Sequence, residues 1–267
     1  MPAPQTVAVR GTTLAYVDSG PSEGETFVLS HSLFFDHTMF DELTARLVSA
    51  GHRVVAYDHR GQGASAPAPR DEQSMDELTK DAAALIEALD LAPVHFVGNS
   101  MGGFIALRLA ARRPDLVASV AALGSSAEEE HQLAAFAPLV EALGQHGAAP
   151  AIDTLMHIMF GDTSLAKGGP VVDHWRERMS GLGTEIGDSA HQVIHRERLV
   201  EELDGTSVPV VAISGVEDHA YPPPVSDVNI AAATGGTHHA VEAAGHSVAL
   251  EQPDEVAQIL LESVGRR

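Results

Sequence analysis

Residues 98–102 read Gly-Asn-Ser-Met-Gly, a Gly-x-Ser-x-Gly pentapeptide. Ahead of it runs Val94-His95-Phe96-Val97, short and rich in β-forming residues, and behind it Phe104-Ile105-Ala106-Leu107-Arg108-Leu109-Ala110-Ala111, apolar and helical in character. A strand, a tight turn and a helix in that order hold the serine with little freedom and lift its hydroxyl clear of a sheet, which is what a nucleophile requires. Gly98 and Gly102 have no Cβ, so strand and helix can approach each other across the turn. The helix starts just after Ser100, so its free N–H groups and positive dipole end face any oxyanion formed there.

The rest of the chain alternates in the same way. Residues 6–10 and 12–18 read as an antiparallel hairpin at a sheet edge, joined at Gly11. Residues 26–31, 53–58 and 117–123 read as continuous buried strands, as a parallel sheet requires. Helices are expected over 39–50, 76–89 (capped by Ser74) and the run after Ser100, which should end near Pro114. Strands return at 208–214 and 237–242, with helices at 225–233 and 253–264. Between them, residues 127–205 carry helical patterns at 129–143, 151–160, 171–179 and 189–203 and no convincing strand. The expected architecture is α/β: a mostly parallel eight-stranded sheet flanked by helices, formed by residues 1–126 and 206–267, with 127–205 inserted as a helical cap.

Composition narrows the partners. The formal charge of −21 disfavours nucleic acid and anionic membrane surfaces. With only Lys80 and Lys167 as lysines, the acidity reads as solvation of the surface. The absence of cysteine removes disulfides, thiolate metal sites and a cysteine nucleophile. The opening residues lack the pattern of a signal peptide, and no apolar run reaches the roughly 18 residues of a membrane span. A cytoplasmic protein acting on a small molecule is expected, its oligomeric state left open with a homodimer among the alternatives.

In a sheet of this kind ligands sit at the carboxyl ends of the strands. The unusual turns all fall there: His31-Ser32-Leu33, Asp58-His59-Arg60-Gly61, Ser100, Gly124-Ser125-Ser126, Asp218 and His246. A serine nucleophile needs a base, and the base needs a group to fix its tautomer. Among fifteen histidines, His246 follows the last strand in Ala-Gly-His-Ser and is the candidate base. His238 and His239 lie within that strand and should point into its packing faces, and the histidines of residues 127–205 read mostly as solvated helix positions. Asp218 follows the preceding strand and is the candidate acid, with Glu217 as the alternative; the turn after 117–123 offers no carboxylate. Two donors should hold the oxyanion, the backbone N–H groups of Met101 and Leu33. The Ser32 hydroxyl is open to contacting substrate or capping its turn. Phe34, Phe35 and Trp175 are candidate substrate contacts in an apolar, compact pocket. The glycine-rich turn at 58–63 lacks the Lys-Ser/Thr of a phosphate loop and reads as structural, with Arg60 pairing locally. No His-Glu-x-x-His or comparable spacing occurs, so neither metal nor cofactor is expected.

Taken together, Gly-Asn-Ser-Met-Gly-Gly at 98–103, Tyr-Asp-His-Arg-Gly-Gln-Gly-Ala-Ser at 57–65, the Asp218 segment and Gly-His246 resemble the α/β-hydrolase superfamily over essentially the whole chain, in its Ser…Asp…His order. Within it, Leu29-Ser30-His31-Ser32-Leu33 is similar to the Asn-Ser-Leu segment of 3-oxoadipate enol-lactonases, departing at His31 and at Phe34-Phe35. The resemblance implies a serine hydrolase acting on an ester or lactone. Carbon–carbon hydrolysis of a ring-cleavage product, cofactor-free perhydrolysis on the same residues, and a receptor-like protein that binds without turnover are the alternatives.

Overall fold

The computed structural model describes residues 2–265; Met1, Arg266 and Arg267, assigned above to the sheet-bearing part, lie outside the described residues. Eight strands form one sheet: β1 (Gln5–Val9), β2 (Thr12–Ser19), β3 (Thr26–Ser30), β4 (Arg53–Tyr57), β5 (Val94–Asn99), β6 (Val117–Leu123), β7 (Val210–Gly215) and β8 (Thr237–Val241). Their order is β1-β2-β4-β3-β5-β6-β7-β8. The β1–β2 and β2–β4 pairs are antiparallel and every other pair is parallel. Strands β5 and β7 are buried along their whole length, which is why Val210-Val211-Ala212-Ile213 reads as an unbroken apolar run. Register aligns Ser30 with Gly98, Asn99 with Leu123 and Leu123 with Ile213. The turns that follow these strands therefore open at one edge of the sheet.

β8 is the exception to the buried pattern. His238 is exposed and His239 half-buried, rather than set into packing faces, because β8 is the last strand of the sheet and only Val241 is buried.

Helices α1 (Asp41–Ser49), α2 (Met75–Ala88) and α3 (Met101–Arg112) follow β3, β4 and β5. Ser74 caps α2, its hydroxyl accepting from the Glu77 N–H at 3.2 Å. Between β6 and β7 lie α4 (Leu133–His146), α5 (Ile152–Met159), α6 (Asp162–Lys167), α7 (Pro170–Ser180), α8 (Ile186–Ile194) and α9 (Val200–Leu203). The chain closes with α10 (Val228–Thr234), α11 (Val248–Glu251) and α12 (Pro253–Val264).

Three departures from expectation stand out. α4 begins at Leu133, because Glu130 turns into the interior and its carboxylate accepts the Gln132 N–H at 2.8 Å. The helix expected over 189–203 is broken into α8 and α9, since the chain leaves helical geometry at His195 and carries Arg196 into the core. α6 forms behind the Gly161-Asp162 joint, where the sequence shows only a turn.

Candidate active site

Ser100 connects β5 to α3 with φ 53° and ψ −111°, a conformation costing roughly 1–3 kcal/mol that persists only where its surroundings impose it. The imposition is visible. The Ser100 N–H donates to Leu123 O at 2.7 Å, and its carbonyl accepts from the Gly103 N–H at 2.8 Å and the Ser125 hydroxyl at 3.0 Å. A Cβ on Gly98 would stand 2.0 Å from Gly102 O, and one on Gly102 would stand 2.0 Å from Ser30 O. Both glycines are thus required by backbone packed against backbone.

His246 and Asp218 are each 3% exposed. His246 Nδ1 lies 3.0 Å from Asp218 Oδ2 and 3.2 Å from Oδ1. The carboxylate is fixed in turn by the Ala220 and Tyr221 N–H groups, which donate to Oδ1 at 2.7 and 2.9 Å. A proton on Nδ1 donated to Asp218 leaves Nε2 with a free lone pair. Glu217, the alternative acid, is turned away and accepts from the Thr163 N–H and hydroxyl at 2.7 and 2.5 Å. Among the described residues Ser100 Oγ makes no hydrogen bond, and such contacts characteristically tighten only when substrate arrives.

The loop after β3 carries Phe34 at φ 73°, strained for a bulky side chain. Leu33 and Met101 are buried, and neither backbone N–H has an acceptor among the described residues. Buried N–H groups are rarely left so, and these two are available to a ligand oxygen. Beneath them His31 is fully buried; its Nδ1 donates to Ser32 O at 2.8 Å and its Nε2 accepts the His59 N–H at 3.1 Å. Burial pulls the His31 imidazolium below the ordinary histidine range and His59 well below it, so both act as neutral rings bracing the loop.

The structure brings only part of the expected substrate set to the cavity. Leu33, Phe34, Ser100 and His246 line it, but Ser32, Phe35 and Trp175 do not. The Ser32 hydroxyl is taken up by Asn99, donating to its carbonyl at 3.2 Å and accepting from Nδ2 at 3.0 Å. Phe35 packs on Trp175 with ring centroids 4.6 Å apart and tilts against Phe160 at 6.2 Å, joining the loop to α7. The pair Asp36–Arg178 ties the same two segments.

Asn99 and Tyr221 support the site at positions that the sequence did not single out. Asn99 Nδ2 also donates to His246 O at 2.8 Å, and Oδ1 accepts the Ala249 N–H at 3.3 Å, so one amide links the loops bearing Leu33, Ser100 and His246. Its signal was its place between the glycine and serine of the motif. Tyr221 lines the cavity, and its hydroxyl donates to Glu130 Oε2 at 2.5 Å. Arg196 Nη1 donates to the same oxygen at 2.9 Å. Burial pushes the Glu130 carboxyl upward, but Arg196, the Tyr221 hydroxyl and the Gln132 N–H together outweigh it and hold it below the ordinary range. Burial raises the Tyr221 phenol far above its usual value, so it stays neutral. Arg60 pairs locally as expected, with Asp81 and Glu72.

Over this floor stand Phe136, Leu139, Val140 and Leu143 of α4, Ile158 and Met159 of α5, and Ala190, Val193 and Ile194 of α8. Among the residues lining the cavity there is no arginine or lysine.

Known proteins share this architecture. An enol-lactonase from Burkholderia xenovorans LB400 superposes with a TM-score of 0.90 at 28% identity, covering 98% of this chain and 100% of that one. The 3-oxoadipate enol-lactonase 1 of Acinetobacter baylyi is 28% identical over 211 residues, 78% of this chain and 77% of that protein. A Variovorax paradoxus protein with the provisional name carbamate hydrolase RutD is 35% identical over 107 residues, which span 40% of each chain. The sequence model of the alpha/beta hydrolase fold matches residues 25–253, and the chain belongs to that family.

Proposed function

We propose that this chain is a serine hydrolase that cleaves esters or lactones of neutral, apolar acyl groups through an acyl-enzyme at Ser100. The observation that carries the reading is one cavity lined by Ser100, His246 and Leu33, with His246 Nδ1 held 3.0 Å from Asp218. Ser100 Oγ attacks the carbonyl carbon as His246 Nε2 takes its proton. Asp218 keeps the imidazole oriented and stabilises its cation. The Leu33 and Met101 N–H groups receive the oxyanion. His246 returns the proton to the leaving oxygen, and water activated by the same nitrogen releases the acid. Residues 127–205 serve as a cap that excludes bulk water from this step.

The cavity wall argues for the neutral acyl group. A 3-oxoadipate enol-lactone retains a carboxylate, which burial among Phe136, Leu139, Ile158 and Val193 would leave without a cation. Arg196 does not line the cavity; its guanidinium donates to the Tyr221 hydroxyl and is paired with Glu130.

The test is pre-steady-state kinetics with nitrophenyl acetate, butyrate and octanoate, wild type beside Ser100→Ala, with fluorophosphonate labelling in parallel. A stoichiometric burst and labelling in wild type, both lost in the variant, are expected. Hemiesters bearing a terminal carboxylate should turn over about tenfold or more slowly than neutral esters of equal length. Turnover that survives Ser100→Ala, or a serine that fluorophosphonate does not label, would overturn the acyl-enzyme.

A further inference from the structure

A second cluster of chemically competent side chains lies outside the cavity. His157 on α5, Asp162 at the start of α6 and His219 in the turn after β7 each offer one ligand atom, and these atoms lie within 4.8 Å of one another. His219 Nε2 is already 3.2 Å from Asp162 Oδ1. The His157 and His219 rings stack with centroids 4.0 Å apart and planes at 27°. The charge around them is unbalanced. Glu217 lies beside the group, and among the described residues neither Asp162 nor Glu217 pairs with a lysine or arginine. No spacing rule announces the site, because the first two ligands are five positions apart in the chain and the last two 57.

Two imidazoles and one carboxylate, with water in the remaining position, suit a borderline divalent ion. We propose that His157, Asp162 and His219 bind a divalent transition-metal cation of the zinc type, which staples α5 and α6 to the turn that carries Asp218. Coordination draws the three atoms from their present spread to roughly 3.4 Å apart, the separation that metal–ligand bonds near 2.1 Å impose in a tetrahedron. All three side chains can make this adjustment, since His157 and Asp162 are exposed and His219 is half-buried. The consequence reaches the cavity without touching the reacting atoms. Ile158 and Met159, next to His157, form part of its wall, and His219 follows Asp218 directly.

Two other groups on the molecule were candidates for the same role. Asp36, His37 and Asp58 also converge, but they are buried, with Asp58 accepting from His37 Nδ1 at 2.9 Å and Asp36 paired with Arg178. His191 and His195 stack at 4.1 Å one helical turn apart, but only two imidazoles meet there. That pair supplies the control.

The full chain, stripped of metal with chelator, is titrated with Zn2+ by calorimetry and with Co2+ by visible absorption. One ion per chain, micromolar affinity, a tetrahedral Co2+ spectrum and a raised Tm are expected. His157→Ala and Asp162→Asn should each weaken binding by at least the roughly 10–100-fold that loss of an outer partner of a metal ligand costs, with the metal-free Tm unchanged. His195→Ala should bind as wild type does. No heat at millimolar Zn2+, unchanged affinity in His157→Ala, or loss of binding in His195→Ala instead would overturn the site. None of these readouts involves ester turnover, so the outcome stands apart from the reading of Ser100.

Discussion

Glu130→Gln tests the polar support beneath the cavity. In the wild type the Glu130 and Arg196 side chains are 0% and 1% exposed, with Nη1 and Oε2 2.9 Å apart. Arg196 lies over the Phe104 ring at 4.2 Å and the Tyr221 ring at 5.1 Å, and its Nη2 has no hydrogen-bond partner among the described residues. Neutralising Glu130 leaves a guanidinium buried against aromatic rings with nothing to balance it. Breaking a buried pair from one side costs about 3–5 kcal/mol. Glutamine keeps one acceptor for Tyr221, so the lower end, about 3 kcal/mol, is expected, a large share of the roughly 5–15 kcal/mol a folded chain has. Urea unfolding followed by circular dichroism and by the fluorescence of Trp175, the one tryptophan, reads the loss. The sign of the pH dependence follows from Arg196 holding the carboxyl below its ordinary range. The stabilisation is complete above the unfolded carboxylate pKa and disappears as pH falls through the lower folded one, so wild type and variant should converge in acid. The paired change Glu130→Leu with Arg196→Met removes both charges and should recover most of the stability. A single variant within about 1 kcal/mol of wild type, or a double variant as unstable as the single, would refute the reasoning.

Other consequences are equally direct. Gly102→Ala sets a Cβ 2.0 Å from Ser30 O and should cost about 1–3 kcal/mol or more in thermal melts while displacing the Met101 N–H and abolishing ester turnover. Gly144→Ala, in the interior of α4 with nothing within 4 Å of the new Cβ, should instead stabilise by about 0.5–1 kcal/mol. Burial raises the Asp58 carboxyl, but the His37 hydrogen bond, the neighbouring His31 and His37 imidazoles and the Ala64 N–H together outweigh it and draw it from 3.8 to about 2. Its contribution of about 2 kcal/mol is full above the unfolded pKa and lost as pH falls through the folded one, so Asp58→Asn should flatten the stability profile between those values. Ala190→Phe, in the cavity wall, should shift chain-length preference from octanoate toward acetate without loss of the acetate burst, as read by the kcat/KM series.

The sheet was legible because parallel strands buried on both faces have no way to read except as short apolar runs. Runs such as Val54-Val55-Ala56 and Val120-Ala121-Ala122 pointed to their strands for that reason. Ser100 and Asp218 could be placed because each lies just past the end of such a run, and His246 because it follows the last strand, β8, where chain direction alone fixes its edge of the sheet. The supports were not legible, since they join segments far apart in the chain. Glu130 and Arg196 are 66 residues apart, Glu130 and Tyr221 91, and each reads locally as an ordinary surface residue. The different surroundings of Phe34 and Phe35 were hidden for a related reason. The loop after β3 turns through a positive φ at Phe34, which sends Phe34 to the cavity and Phe35 to Trp175, and no residue in the run signals that reversal.

The helix α4 shows where sequence reading reaches a physical limit. Phe136, Leu139, Val140 and Leu143 recur at i, i+3, i+4 and i+7, the spacing of a face removed from water. That spacing predicts burial, and all four line the cavity. The pattern cannot separate a face that meets other side chains from one that meets a ligand, because the free energy of leaving water is the same in both. The two differ in what a substitution does. A core face loses stability when a methylene is removed, since the cavity left behind is new. A ligand face borders a cavity already present, so Leu139→Ala should cost less than Leu155→Ala, whose side chain is fully buried outside that cavity. Urea titrations of the two variants, set against their acyl-chain preferences, make the distinction: Leu155→Ala should lose about 2–5 kcal/mol with preference unchanged, and Leu139→Ala should move the preference with a smaller loss. Equal losses with no change in preference would mean that α4 packs as core and that the acyl group lies elsewhere.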